Sequence, residues 1–299
     1  MKLHIVDIST CIHTGAVIKK VHELEPVRNE QNKYVSPSYP IGGPSYLFNI
    51  INSIPKGDAV IFVADREATR KKEFDPSYKS NREFKRDIFG MKQVAEEILE
   101  DCGFIVLSEE GYEADDLEYT ICEKYAEEYS KIILHTDDSD MYICVRDGVE
   151  CAPVRSSGKY VTKDNYEYTV KKGEIIPYNS LSFCKMIIGD SSDGIPGLPK
   201  DQQRKAYSLL NLFKDRSKFR EEKFIREFVD SYLPFMRKQV DMVMPIFRPD
   251  LEIPVVIPEP NRKRINEWAT VLKNYKFAKV NQVPESVLQM ADSFYEKYF

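Results

Sequence analysis

Three short stretches of the 299-residue chain concentrate carboxylates at spacings that suit metal binding. GYEADDLEY carries Glu113, Asp115 and Asp116 within four residues. HTDDSDM sets Asp138 and Asp140 one residue apart, and IIGDSSDGIPGLP holds Asp190 and Asp193 before a Pro/Gly-rich turn. Each has an ordinary structural explanation. Acids at a helix start are stabilised by free backbone N–H groups and the macrodipole, and Asp, Ser, Gly and Pro are common turn residues. That explanation satisfies one or two acids per site. Three in four residues crowd like charges, which is costly unless a cation neutralises them.

Oxygen-only ligands select hard cations such as Mg²⁺ or Mn²⁺. With Asp7 and Asp65 the candidates number nine, too many for one magnesium ion that keeps several waters. Two ions are the natural count. Two divalent ions about 4 Å apart suit phosphodiester hydrolysis, one activating water and both stabilising charge on the phosphate and the leaving oxygen. The chain has no G-x-S-x-G and no Ser/His/Asp arrangement, which agrees with a reaction that needs no protein nucleophile.

Carboxylates on separate segments converge only if the elements beneath them align. LHIVDI (Leu3–Ile8), AVIFVAD (Ala59–Asp65), FIVL (Phe104–Leu107) and KIILHTDD (Lys131–Asp138) read as buried strands. Between them, Pro44–Ile54, Phe89–Cys102 and Ala114–Tyr129 repeat apolar residues at helical spacing. This alternation predicts an α/β fold, a mostly parallel sheet with helices on both faces. Asp7, Asp65 and the Asp137/Asp138 pair then fall at the carboxyl ends of strands, the edge where open α/β sheets bind ligands. After about residue 180, charged helical patterns (Asp201–Leu212, Lys223–Tyr232, Pro234–Met244) predict a helical subdomain over 181–299, beside a core over 1–180.

From Arg66 to Arg86 eight basic residues face four acidic ones. A charge run is usually a solvated helix face. This one leaves the end of a strand bearing a candidate ligand, and Phe74, Tyr78 and Phe84 are interleaved with its charges. Cations neutralise phosphates while aromatics stack on bases. Arg70, Lys71, Lys72, Lys85 and Arg86 are candidate nucleic-acid contacts, and Tyr78 a candidate stacking platform. Lys79 and Arg82 are i,i+3, so on a helix they point the same way and could steady one phosphate in the transition state.

A share of 42% apolar and 30% charged residues describes a globular chain. No apolar run approaches the length of a membrane span, and the first ten residues lack a signal-peptide layout. The six cysteines form no C-x-x-C pair, which disfavours zinc and suits reduced thiols in the cytoplasm. The net charge of −5 argues only weakly against nucleic acid, since a local basic surface matters more than the sum.

Together these residues resemble the flap endonuclease/5′→3′ exonuclease family, particularly its bacterial and bacteriophage members. VDIS around Asp7 resembles the first metal-ligand strand. Pro76, Tyr78, Lys79 and Arg82 match a P-x-Y-K-x-x-R element, and GYEADD a G-x-E-A-D-D motif. HTDDSDM is similar to T-G-D-x-D-M, and IIGDSSDGIPGLP to G-D-x-S-D-N-I-P-G-V-P. The resemblance implies a PIN-like sheet carrying two Mg²⁺ ions, which Mn²⁺ could replace. Asp7, Asp65, Glu113, Asp115 and Asp116 would serve the first ion, and Asp138, Asp140, Asp190 and Asp193 the second. Lys79 and Arg82 would be the catalytic pair at the base of a helical arch over about 66–90. The implied substrate is DNA with 5′ flaps or nicks, including RNA primers in RNA/DNA hybrids, cut during replication by a monomer working with replication proteins in trans.

Two departures stand out. The family's G-x-G-x-K-T-A hairpin, which grips duplex DNA, corresponds to KDQQRKA, without glycine. Lys200, Arg204 and Lys205 could contact phosphates there through side chains instead. Asp137 stands in place of a glycine beside Asp138, adding negative charge. A haloacid-dehalogenase-type phosphatase would need a second acid two residues after Asp7, and a Rossmann or P-loop enzyme a glycine loop; neither is present. A PIN-type ribonuclease and a non-catalytic binder of branched DNA remain as alternatives.

Overall fold

The computed structural model of the chain describes residues 1–18, 27–28, 34–36, 47, 50–51, 53–81, 86–154, 158–166, 168–169, 175–176, 181–204 and 230–253. The strands are β1 (Leu3–Asp7), β2 (Val27–Arg28), β3 (Tyr34–Ser36), β4 (Ala59–Val63), β5 (Val106–Leu107), β6 (Ile132–His135), β7 (Val149–Cys151), β8 (Tyr168–Thr169) and β9 (Ile175–Ile176). Five of them form one parallel sheet in the order β5-β4-β1-β6-β7. Two antiparallel hairpins, β2-β3 and β8-β9, stand apart from it. The four expected strands are therefore present and parallel, and β7 extends the edge beyond them.

Side-chain alternation along the central strands builds a core on each face. Val6 of β1 and Phe62 of β4 pack on one side with α1 (Ile8–Ile18) and with Ile98 and Leu99 of a later helix. Leu3, Ile5, Ile61 and Val63 point the other way, against Leu117 and Ile121. Each fully buried side chain of this size contributes about 1.5–3 kcal/mol of transfer free energy, so both layers hold the strands in register. Helix α2 (Thr69–Phe74) follows β4, α3 (Arg86–Asp101) leads to β5, and α4 (Ala114–Tyr125) leads to β6. A 3₁₀-helix over Ser139–Cys144 follows β6.

Register sets the height of the strand ends. Asp7 pairs with Val63, and Val6 with His135. Asp7, Asp65 and the run from Thr136 to Asp138 therefore emerge side by side at one edge of the sheet.

Beyond the sheet lie α5 (Leu181–Ile188) and α6 (Leu233–Val243), which pack on one another. Pro234 sits in the first turn of α6, where a missing N–H costs nothing. Lys200–Arg204 is helical, so a helix starts where the glycine hairpin would stand. The remainder of the expected 201–212 helix and most of 223–232 lie outside the described residues. Among the described residues no helix is long and apolar enough to cross a membrane.

Candidate metal centre

A cleft of about 500 Å³ opens at the carboxyl edge of the sheet. Eight of the nine expected ligands line it: Asp7, Asp65, Glu113, Asp115, Asp138, Asp140, Asp190 and Asp193. Asp137 joins them, as do Lys79, Lys92 and Lys185. Nine carboxylates thus face three lysines along the lining, leaving a large excess of negative charge.

Asp7 and Asp65 come from adjacent parallel strands. The first turn of α1 supports Asp7: its Oδ1 accepts from the Thr10 amide at 3.0 Å, and its Oδ2 accepts from the Thr10 hydroxyl. Burial, reinforced by Asp65, pushes the Asp7 carboxyl up to about 6. Asp65 is tied down more firmly. Its Oδ1 accepts from the Ala114 amide at 2.9 Å, while its Oδ2 accepts from the Ser9 hydroxyl and from Lys92 Nζ at 3.1 Å. Burial opposes its ionisation, but Lys92 and these hydrogen bonds outweigh it and hold Asp65 below the usual carboxylate range.

The start of α4 supplies the next group. Glu113 precedes the helix and receives Tyr78 Oη at 2.8 Å, Lys71 Nζ at 3.0 Å and Lys79 Nζ. Burial disfavours its charge, yet Lys71 and Lys79 keep it ionised. Asp115 faces the cleft, and burial with Asp138 and Glu113 nearby pushes its carboxyl well up. Asp116 is placed differently from the expectation. It is fully buried and off the cleft, accepting from the Glu113 amide at 3.0 Å and the Ile246 amide at 2.7 Å, with Lys71 at 3.6 Å. It fastens the helix start to the segment after α6.

Two of the remaining four acids share a lysine. Asp138 caps the 3₁₀-helix, its Oδ1 accepting from the Asp140 amide at 2.9 Å. Lys185, projecting from α5, bridges Asp140 and Asp190. Burial and Asp138 push Asp140 up to about 6. Asp190, despite partial burial, is held at about 2 by Ser192 and Lys185. The turn carrying Asp190 and Asp193 is glycine-dependent: a Cβ on Gly197 would lie 1.9 Å from the Ile188 carbonyl oxygen.

Lys79 and its neighbours depart from the expected helix. Residues 76–81 form turns, and Lys79 is left-handed at φ 55°. Its amide donates to the Asp193 carbonyl at 2.9 Å, and Asn81 Nδ2 donates to the Ser191 carbonyl at 2.9 Å. This seam fixes the backbone, so the i,i+3 argument for pairing Lys79 with Arg82 does not apply; Arg82 lies outside the described residues. Lys79 Nζ reaches the cleft, bridging Glu113 and Asp193, the latter at 3.7 Å.

Two expected nucleic-acid contacts are corrected. Tyr78 is 2% exposed and its hydroxyl faces Glu113 and Asp193, so its ring is closed to a stacking base. Lys71 is 5% exposed and neutralises Glu113 and Asp116 in the interior. Tertiary burial overrides the surface pattern at both. Phe74, 58% exposed, is the accessible aromatic among the described residues of the segment. Arg70 and Lys72 are accessible but pair with Glu73 and Glu67. Lys200 and Arg204 are exposed on the described start of this helix. Arg86 begins α3, while Lys85 and Lys205 lie outside the described residues.

Sequence reasoning missed Lys92, Lys185, Ser9 and Thr10. The hydroxyls stand two and three residues after Asp7, a signal that could have been used. The lysines act through tertiary contacts that no local pattern displays. Among the described residues no three acidic, imidazole or thiol side chains form a finished metal cage; lysines stand between the carboxylates instead. The donor set nevertheless fits hard divalent cations. It is all oxygen, and Asp7, Asp115 and Asp140 are held toward protonation by burial and by neighbouring acids that the three lysines do not offset.

Known proteins are similar to this chain in sequence and in fold. DNA polymerase I of Mycobacterium bovis is 32% identical over 160 residues, covering 53% of this chain and 18% of that protein. The 5′-3′ exonuclease of Buchnera aphidicola subsp. Acyrthosiphon pisum is 30% identical over 156 residues, 52% of each chain. The chain therefore spans about a fifth of the polymerase relative and about half of the exonuclease. Two crystal structures share the fold across 99% of this chain: a bacteriophage T5 flap endonuclease with DNA and metal ions (16% identity, TM-score 0.56, 100% of that chain) and T5 5′-exonuclease with zinc (17%, 0.57, 99%). The profile of the 5′-3′ exonuclease N-terminal resolvase-like domain matches residues 3–172. More than half of the sequence carries that match, and the chain belongs to the 5′-3′ exonuclease family.

Proposed function

We propose that this chain is a divalent-metal-dependent 5′ nuclease, a 5′→3′ exonuclease and flap endonuclease that hydrolyses DNA phosphodiesters. The observation that carries the reading is the single cleft in which eight of the nine expected carboxylates meet Lys79. The match to a 5′-3′ exonuclease domain and the polymerase I and exonuclease relatives support the reaction class and a role in replication. The T5 proteins crystallised with DNA and with divalent ions support the ligands.

Asp7, Asp65, Glu113 and Asp115 would hold one ion, and Asp138, Asp140, Asp190 and Asp193 a second. Asp116 orients Glu113 from behind. Bound ions would supply Lewis-acid stabilisation of the attacked phosphate and an activated water, and Mg²⁺ suits such a carboxylate site. The protein contributes the positioning. Ser9 and Thr10 fix the carboxylates of Asp65 and Asp7. Tyr78 and the seam to Asp193 fix Lys79, whose ammonium group lies where it can steady a phosphate. Residues 1–180 form the nuclease core in this reading, with an arch over about 66–90. The part from 181 onward adds Lys185, Asp190 and Asp193 to the cleft and binds duplex.

Cleavage of 5′-labelled flap and nicked-duplex DNA with Mg²⁺ tests the reading, alongside RNA and RNA/DNA substrates of the same shape. Wild-type protein is expected to release 5′ products from DNA, and Asp115→Asn to lose them. Undiminished turnover in Asp115→Asn would place the reaction elsewhere. Turnover of RNA alone would favour a ribonuclease.

A further inference from the structure

Glu118 lies on α4, fully buried, and among the described residues neither of its carboxyl oxygens has a hydrogen-bond partner. Its neighbours along the inner stripe are Leu117, Ile121 and Cys122, and such a position ordinarily takes an aliphatic residue. A carboxyl sealed from water without a partner weakens the fold in either protonation state. The mechanism described so far does not use it.

Its surroundings suggest a reason. Asp115, one turn earlier at i−3, shares its helix face and lines the cleft. The carboxylates whose charge acts on Glu118 are Asp7, Asp115 and Asp138, each a cleft acid from a different segment. Glu118 therefore sits behind the cleft wall, with the buried thiols of Cys144 and Cys151 also within its field.

We propose that Glu118 is an inner carboxylate of the metal centre, a buried ligand to the divalent ion held by Asp7 and Asp115. The inference rests on the reading of the cleft as a metal centre. A cation entering between Asp7 and Asp115 meets this carboxyl from the core side, and coordination satisfies oxygens that no other described residue satisfies. Glu118 weakens the metal-free fold and strengthens the loaded one.

Mn²⁺ titration of the full chain, followed by calorimetry and electron paramagnetic resonance, tests this with Glu118→Gln and Glu118→Leu. Both variants are expected to weaken the tightest Mn²⁺ site at least about tenfold. Metal-free Glu118→Leu is expected to melt above metal-free wild type. Glu118→Gln is nearly isosteric and carries the test if the leucine variant does not fold. Mn²⁺ affinity within about twofold of wild type in both variants overturns the role of Glu118 while leaving the metal centre intact. Wild-type protein that takes up no Mn²⁺ overturns the metal centre itself, and Glu118 with it.

Discussion

Replacing Tyr78 by Phe separates a buried hydrogen-bond donor from a base-stacking platform. The ring survives the change, and so do its contacts with Lys71 at 5.6 Å and Lys79 at 5.0 Å. Only the hydroxyl is lost. It stands 2.8 Å from Glu113 and 3.2 Å from Asp193, but one O–H donates one proton at a time, so the loss is one charge-assisted bond. Such bonds are worth about 1.5–3 kcal/mol. Glu113 keeps Lys71 and Lys79, which places the expected loss near the lower end, about 1.5 kcal/mol. Urea unfolding in chelator should show a lower midpoint at unchanged slope. DNA binding, if Tyr78 stacked on bases, would be unaffected, since Phe stacks as well. A Tyr78→Phe variant as stable as wild type would refute the buried-donor account.

Lys71→Met should destabilise by about 3–5 kcal/mol, because it takes from buried Asp116 its cation and leaves Glu113 with Lys79 alone; a calorimetric melt checks it. Lys79→Ala should slow cleavage by about 10²–10³-fold with Mn²⁺ affinity retained, as read by single-turnover assays beside metal titration. Asp7 and Asp140 have folded values of about 6, above the ordinary 3.8. Their protons therefore stabilise the metal-free protein at low pH, and that contribution fades as pH rises through about 6. Asp65, Glu113 and Asp190 are shifted the opposite way and lose their contribution only at more acidic pH. Melting in chelator should fall between pH 5 and 7 by about a few degrees, and Asp7→Asn should flatten the fall.

The sheet and the acids at its edge were legible because both follow from period and position. Parallel strands of similar length end level, so a carboxylate just past each one needs no tertiary knowledge to be grouped with the others. Asp190 and Asp193 followed by chemistry, as acids in want of a partner. What escaped was decided by contacts distant in sequence. The P-x-Y-K element looked helical and accessible, but hydrogen bonds to 191 and 193 turned Lys79 left-handed and pulled Tyr78 inside. Asp116 belonged to a capping arrangement with Ile246, 130 residues away. Lys92 and Lys185 lie in amphipathic helices as unremarkable cations, and only the packing of those helices aims them at carboxylates.

Those lysines have a thermodynamic consequence. Lys79, Lys92 and Lys185 each spend their charge on carboxylates of the cleft. A divalent ion competes for the same oxygens, so its arrival would hand ammonium groups back to the solvent side. A polyanion approaching the loaded cleft would then find cations that the empty cleft keeps to itself. In the proposed nuclease, metal and nucleic acid would thereby be coupled ligands, each raising the affinity of the other by the same factor. In that reading the lysines would keep the empty cleft from nucleic acid until the ion is in place.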